Sequence, residues 1–375
     1  MDEFRLSVTD ELSTAIQKTH KALKRPDRRR ALRIALIIGL VAVLGAGGVV
    51  TYRLVFAPVY RTTFLIDTAD GDLAGVVGAL TTVVGNSGER DSQSLRSFGG
   101  DCGAEDNTAQ LVGFGTGNRQ EIAEAARSVR QGAKATLQRG IVEAVGDFTA
   151  PLALKARQVN RIIVVTRHAE DACDTDDEFV QAQIRERVAA AGLSIEFRFI
   201  GYQVADGAPL KELTTELKTQ DPTLTKTPDE LKRALEWFAT IEPVLRSSQS
   251  VVNVLNPTVD KLNTATESIK AGRFDLADGA LAEARDAVVD IEIKDLDGRT
   301  SSPDAVLLRD MAVRLRTLQA EVIKAADGLL GSARSGRNLA EPLAVYTRAA
   351  VAYNDVARRM TGKLTELRGQ GPGGS

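Results

Sequence analysis

The sequence predicts a doubly wound α/β domain with a mostly parallel sheet, preceded by one transmembrane helix and followed by an all-α helical bundle. Three observations lead there. Strand-like apolar runs alternate with amphipathic helical ones between residues 60 and 202. Residues 34–50 carry no charge. Beyond Asp206 strand signals cease and long helical periodicities take over.

The elements follow in order. Residues 1–30 form a basic arm in which Val8, Leu12, Ala15, Ile16 and Leu23 recur near helical spacing over 7–24. Such a helix beside a membrane lies on anionic lipid, binds a cytoplasmic partner, or is a solvated flank. Residues 31–56 come next as the anchor. About 20 residues cross a hydrocarbon core, and the cluster Gly39, Gly45, Gly47 and Gly48 is tolerated in a membrane helix. Lys21, Lys24, Arg25, Arg28, Arg29, Arg30 and Arg33 precede the run, whereas Arg53 and Arg61 follow it closely. The positive-inside rule therefore puts the arm in the cytoplasm and the remainder outside. A long pre-run segment without a small-residue cleavage site favours an uncleaved anchor over a signal peptide.

Residues 58–218 carry the α/β pattern. Strands are expected at 62–66, 94–98, 110–114, 161–166 and 194–200, and helices at 73–84, 120–129, 135–147 and 178–191. Apolar strands such as Ile162-Ile163-Val164-Val165, interleaved with helices, require a parallel sheet covered on both faces. Residues 219–228 read as a linker ending at a helix start. Residues 229–368 form the expected bundle, with stripes at Leu231, Leu235, Phe238, Ile241 and Leu245 and at Val306, Leu307, Met311, Leu315, Leu318, Val322 and Leu329. Trp237 and Phe238 read as core residues of that bundle. The turn around Gly272 looks like a repeat hairpin, but a helix stop at Gly272 is the simpler reading. The Gly-rich tail, 369–375, is expected to be unstructured.

The formal charge of −2 argues against a global field for nucleic acid. The cysteines, Cys102 and Cys173, both fall in the exterior portion, as one disulfide or as two buried thiols. Gly113, Gly115 and Gly117 follow a strand, but their spacing suits a tight turn rather than a dinucleotide fingerprint.

Residues 62–71 read T-T-F-L-I-D-T-A-D-G, an apolar run closing on a carboxylate and a small-residue turn. This resembles the first motif of a von Willebrand factor type A domain, Asp-x-Ser-x-Ser. Further segments follow in the family's order: 95–102 (L-R-S-F-G-G-D-C), 111–115 (L-V-G-F-G), 132–137 (G-A-K-A-T-L) and 162–173 (I-I-V-V-T-R-H-A-E-D-A-C). Bacterial members carry cysteines in the first and last of these, so the resemblance implies a Cys102–Cys173 bond.

The departures lie at the family's metal site. Its two serines are Ala69 and Gly71 here, its threonine aligns with Ala135 or Thr136, and its third-motif aspartate and glycine are Arg167 and His168. Methyl and hydrogen cannot supply the oxygen ligands a hard cation needs. The resemblance thus implies a degenerate site holding Asp67 without metal or other cofactor, with the Arg167 guanidinium beside Asp67 in place of the ion. It further implies a non-enzymatic protein-interaction, adhesion or scaffold module. Its partner-binding rim is Asp67, Ala69, Asp70, Gly71, Thr136, Arg167 and His168, and its partners are other proteins at the cell envelope, not nucleic acid or a small-molecule substrate. Two alternatives accompany it: a signalling subunit whose basic arm contacts a cytoplasmic partner, and a hydrolase using Asp67, Arg167 and His168.

Overall fold

The computed structural model describes residues 60–104, 107–148, 159–173, 177–191 and 194–372. The basic arm, the expected anchor at 31–56 and the last tail residues lie outside these. Among the described residues no helix is long and apolar enough to cross a membrane.

The described residues fall into two compact units. One comprises 60–245, 298–302 and 368–372, and the other 246–297 and 303–367.

The first unit is built on a six-stranded sheet. Its strands are β1 (Tyr60–Asp67), β2 (Ser92–Phe98), β3 (Thr108–Gly115), β4 (Val159–Thr166), β5 (Ile195–Tyr202) and β6 (Thr223–Thr225), in the order β3-β2-β1-β4-β5-β6. All pairings are parallel except that of β3, which runs antiparallel to β2 with register shifts. The doubly wound, mostly parallel sheet is therefore present. Alternation along the strands divides the core. Phe64, Ile66, Ile163, Val165 and Ile200 point to one face, and Leu65, Ile162, Val164, Phe197 and Phe199 to the other. Helices α1 (Leu73–Val84) and α2 (Arg119–Ser128) cover the first face, while α3 (Leu137–Gly146), α4 (Asp177–Ala191) and α5 (Ala208–Glu216) accompany the second.

The expected linker is not a linker. Residues 223–225 form β6 on the edge of the sheet, and α6 (Pro228–Glu236) begins with a capping box between Thr227 and Glu230. Leu231, Ala234, Leu235 and Phe238 then join the core formed by α1 and the sheet, so this stripe belongs to the α/β unit and not to the bundle. Trp237 packs against that same cluster. Within the expected tail, a Cβ on Gly371 would come within 2.5 Å of the Trp237 ring.

A π-helical turn, Trp237–Ile241, leads from α6 into α7 (Glu242–Lys270). Pro243 explains it. Its nitrogen has no hydrogen to donate, and its ring would crowd the carbonyl of Ala239 in a regular α-helix. Near this turn the fully buried Arg161 of β4 donates to the Phe238 carbonyl and lies 3.5 Å from both Glu196 and Glu242. Arg198 completes the cluster at 2.8 Å from Glu242. Arg299, within 298–302, forms a buried bidentate pair with Asp91 at 2.7 and 2.8 Å.

The second unit is helical, as expected: the remainder of α7, α8 (Phe274–Arg285), α9 (Asp290–Asp297), α10 (Pro303–Arg334) and α11 (Ala340–Gly369). Gly272 adopts φ 69° and ends α7, with the Arg273 amide reaching back to the Ser268 carbonyl, so the turn is a helix stop. On α10 the buried stripe is Leu308, Ala312, Leu315, Leu318, Val322 and Leu329; the expected Leu307 is 45% exposed.

Candidate functional site

The strand order reverses between β1 and β4, and open α/β sheets build their sites where the carboxyl ends of such strands part. Asp67 closes β1, and Thr166, Arg167 and His168 stand at the end of β4. The topology thus brings together the first and last segments of the rim expected from sequence.

Asp67 is 2% exposed, and its carboxylate is occupied by protein donors. Oδ1 accepts the Ala69 amide at 2.9 Å. Oδ2 accepts the Arg167 amide at 3.0 Å and the Thr166 hydroxyl at 3.2 Å, and lies 2.9 Å from His168 Nδ1. The expected guanidinium–carboxylate pair between Arg167 and Asp67 is not formed; Arg167 offers its backbone, and the side chain beside Asp67 is the His168 imidazole. That hydrogen bond raises the His168 pKa above the ordinary histidine value, against partial burial.

The Arg167 side chain does something else. Its guanidinium lies over Gly71, where a Cβ would come within 0.8 Å of Nη1. Nη1 donates to the Asp70 carbonyl at 3.0 Å and Nη2 to Gln203 Oε1 at 3.3 Å. Glycine at 71 is required by φ 135°, and any Cβ there would also displace the Arg167 guanidinium. Asp70 and Gly71 are exposed, Ala69 is buried at 3%. Thr136 is 1% exposed and its hydroxyl is engaged elsewhere: it donates to the Asn107 carbonyl at 2.9 Å and accepts the Gly99 amide at 3.0 Å.

Sequence reasoning missed a second layer. Asp72 caps α1 through the Gly75 amide and accepts the Tyr202 hydroxyl at 2.6 Å. Burial and that bond push the Tyr202 phenol up to about 12, while the hydroxyl and amide donors hold Asp72 below the ordinary carboxylate range. Gln203, at φ 56°, bridges Tyr202 and Arg167. The available signal was positional: β5 ends at Tyr202, beside β4, on the same edge as Asp67.

The rim loops are cross-tied. Cys102 and Cys173 are disulfide-bonded, with Cα atoms 5.2 Å apart. Asp171 accepts the Gln138 amide at the start of α3 and the Cys173 amide, both at 2.8 Å. The Gly132 amide bonds to the Thr68 carbonyl at 2.7 Å, and Gly100 bridges Lys134. Among the described residues no group of three or more histidine, cysteine, aspartate or glutamate side chains is placed to hold a metal ion.

No protein-family profile and no curated protein sequence matches the chain. Among solved structures it is similar to a von Willebrand factor type A protein from Catenulispora acidiphila, at 12% identity and TM-score 0.38, over 49% of this chain and 42% of that one. The pilus adhesin SpaC of Lactobacillus rhamnosus GG aligns at 13% and 0.39, over 49% and 30%. The vWF domain of the type V pili tip protein Mfa5 of Porphyromonas gingivalis aligns at 11% and 0.37, over 48% and 94%. The alignment thus spans less than half the length of the first two.

Proposed function

We propose that this chain is a membrane-anchored, extracytoplasmic protein that binds another protein through the rim of its type A-like unit, without a metal ion and without catalysis. The carrying observation is the state of Asp67. A carboxylate that already receives three hydrogen-bond donors and an imidazole has no oxygen to offer a cation that needs six or more oxygen ligands. Ala69 and Gly71 supply none, and the Thr136 hydroxyl is engaged elsewhere.

What remains at the rim is a polar surface of Asp70, Arg167, His168 and Glu170, on loops tied by a disulfide and by backbone bonds. Ordering of this kind before contact lowers the entropic cost of binding a protein. Asp67 and His168 also make the orienting half of a nucleophile–base–acid triad. A hydrolase needs a hydroxyl or thiol on the other imidazole nitrogen, and among the described residues none is hydrogen-bonded there.

The test is site-specific photocrosslinking in intact cells, with the probe at exposed Asp70 and a control at exposed Glu89 on the opposite edge. A discrete protein adduct from position 70 that persists in chelator is the expected outcome. Loss of the adduct on chelation would restore a metal-dependent mechanism, and equal labelling from both positions would sink the rim.

A further inference from the structure

The Cys102–Cys173 bond ties the rim loops, and its two sulfurs stand in unlike electrostatic surroundings. Lys134 Nζ is 3.8 Å from Cys102 Sγ. That ammonium is exposed and is ion-paired with no carboxylate among the described residues. Asp171 stands at the other end. Its Oδ1 accepts the Cys173 amide and its Oδ2 the Gln138 amide, both at 2.8 Å, which fixes a negative charge beside Cys173. Asp101, the residue before Cys102, is solvated, so its charge is screened and the Lys134 contact decides the sign there.

The asymmetry gives the bond a direction. A disulfide is opened by a thiolate, and the sulfur whose thiol has the lower pKa leaves faster. A neighbouring ammonium favours the thiolate form of a cysteine, and a neighbouring carboxylate disfavours it. Cys102 is therefore the leaving sulfur, and Cys173 the one attacked. Both cysteines are half-buried and are flanked by exposed Gly103 and Ala172, so an incoming thiol has a path.

We infer that Cys173 is a covalent attachment site for a thiol. The thiol belongs to the rim's protein partner, a source that rests on the rim being the protein-binding surface proposed above. The attacking thiol gives its proton to solvent, and its sulfur forms a bond to Cys173 Sγ. The Cys102–Cys173 bond breaks, and its electron pair leaves on Cys102 as a thiolate beside Lys134. One disulfide replaces another, so no oxidant or reductant is consumed. Cys173 closes the loop that carries His168 and Glu170, which puts the conjugate on the polar rim. Opening the bond leaves the loops tied. The Ala172 amide still bonds the Ala135 carbonyl, and the Gly100 amide the Lys134 carbonyl, both at 2.9 Å. Cys102 thus stays close enough to attack the conjugate and release the partner. That return is intramolecular, so the closed bond is the resting state.

The experiment treats the oxidised full chain, in lipid nanodiscs, with glutathione, quenches with a maleimide and maps both cysteines by mass spectrometry. Glutathione on Cys173 with maleimide on Cys102 should exceed the converse by about threefold or more, the order of one exposed charge contact. Lys134→Glu should equalise or invert that ratio while the melting temperature of the oxidised chain stays unchanged. An even ratio in the natural chain, indifference to Lys134→Glu, or no exchange in the folded chain would overturn the inference. The source of the thiol is read in acid-quenched cells, run on non-reducing and then reducing gels. A discrete protein released by reductant is expected, at higher yield with Cys102→Ser, which removes the returning thiol. Glutathione as the sole adduct would assign Cys173 to a small thiol instead. A photocrosslink from position 70 with no sulfur-linked protein would keep the rim and remove the covalent step. Glutathione exchange with no protein adduct by either route would leave Cys173 reactive and remove the rim's partner.

Discussion

The His168 imidazole meets the buried Asp67 carboxylate over 2.9 Å, and the contact makes protonation easier in the folded chain than in the unfolded one. A folded pKa above the unfolded value of about 6.5 means the contribution to stability is complete below that value. It is lost as the pH rises through the raised folded pKa. Melting temperatures of the full chain should therefore fall as pH climbs from about 6 to about 9, and His168→Gln should flatten that slope. An unchanged slope in the variant would place the titrating group elsewhere. The same residues show how far a single sequence reads at this scale. Loss of the serine oxygens at 69 and 71 is legible from residue types alone. The tautomer-bearing partner is not, because a one-residue step along the chain after β4 decides whether a backbone amide, a guanidinium or an imidazole faces Asp67. Arg167 was the nearer cation in sequence, yet its side chain reaches over Gly71 to Gln203.

Strands β1 and β4 were legible because sheet burial leaves continuous apolar runs, Phe64 to Ile66 and Ile162 to Val165, and β5 because apolar residues alternate with Glu196 and Arg198. β6 was not: three residues carry no periodicity. The stripe on α6 shows that a face is buried but not against what, so Leu231 and Leu235 were placed in the wrong unit. Nor does any pattern announce Arg161 as a buried strand residue. Burial lowers its pKa, and Glu242 and Glu196 oppose that shift. Its guanidinium anchors the carbonyl of a π turn that Pro243 makes necessary, so it joins β4 to the start of α7. Arg161→Met should then cost about 3 kcal/mol in urea unfolding, the low end for breaking a buried pair, because Arg198 still neutralises Glu242. A loss below about 1 kcal/mol would mean the cluster is no better than a surface pair.

At the scale of the whole molecule, the Cys102–Cys173 bond and the proposed anchor make one joint claim. The disulfide spans 71 residues and ties β2's exit to the loop after β4, and such bonds persist in oxidising compartments. The charge asymmetry around residues 31–56 would deliver both cysteines to such a compartment. Each half of the argument can fail separately. Full chain taken from cells with its thiols trapped at lysis should show no alkylated cysteine. A chain lacking residues 1–56, and so retained in the cytosol, should show two. The retained chain should also unfold more readily, by about 4 kcal/mol from loop closure alone, and regain that stability on oxidation in vitro. Free thiols in the anchored chain would refute export. A disulfide in the retained chain would leave the fold intact but remove the cysteines as witnesses to where the rim meets its partner.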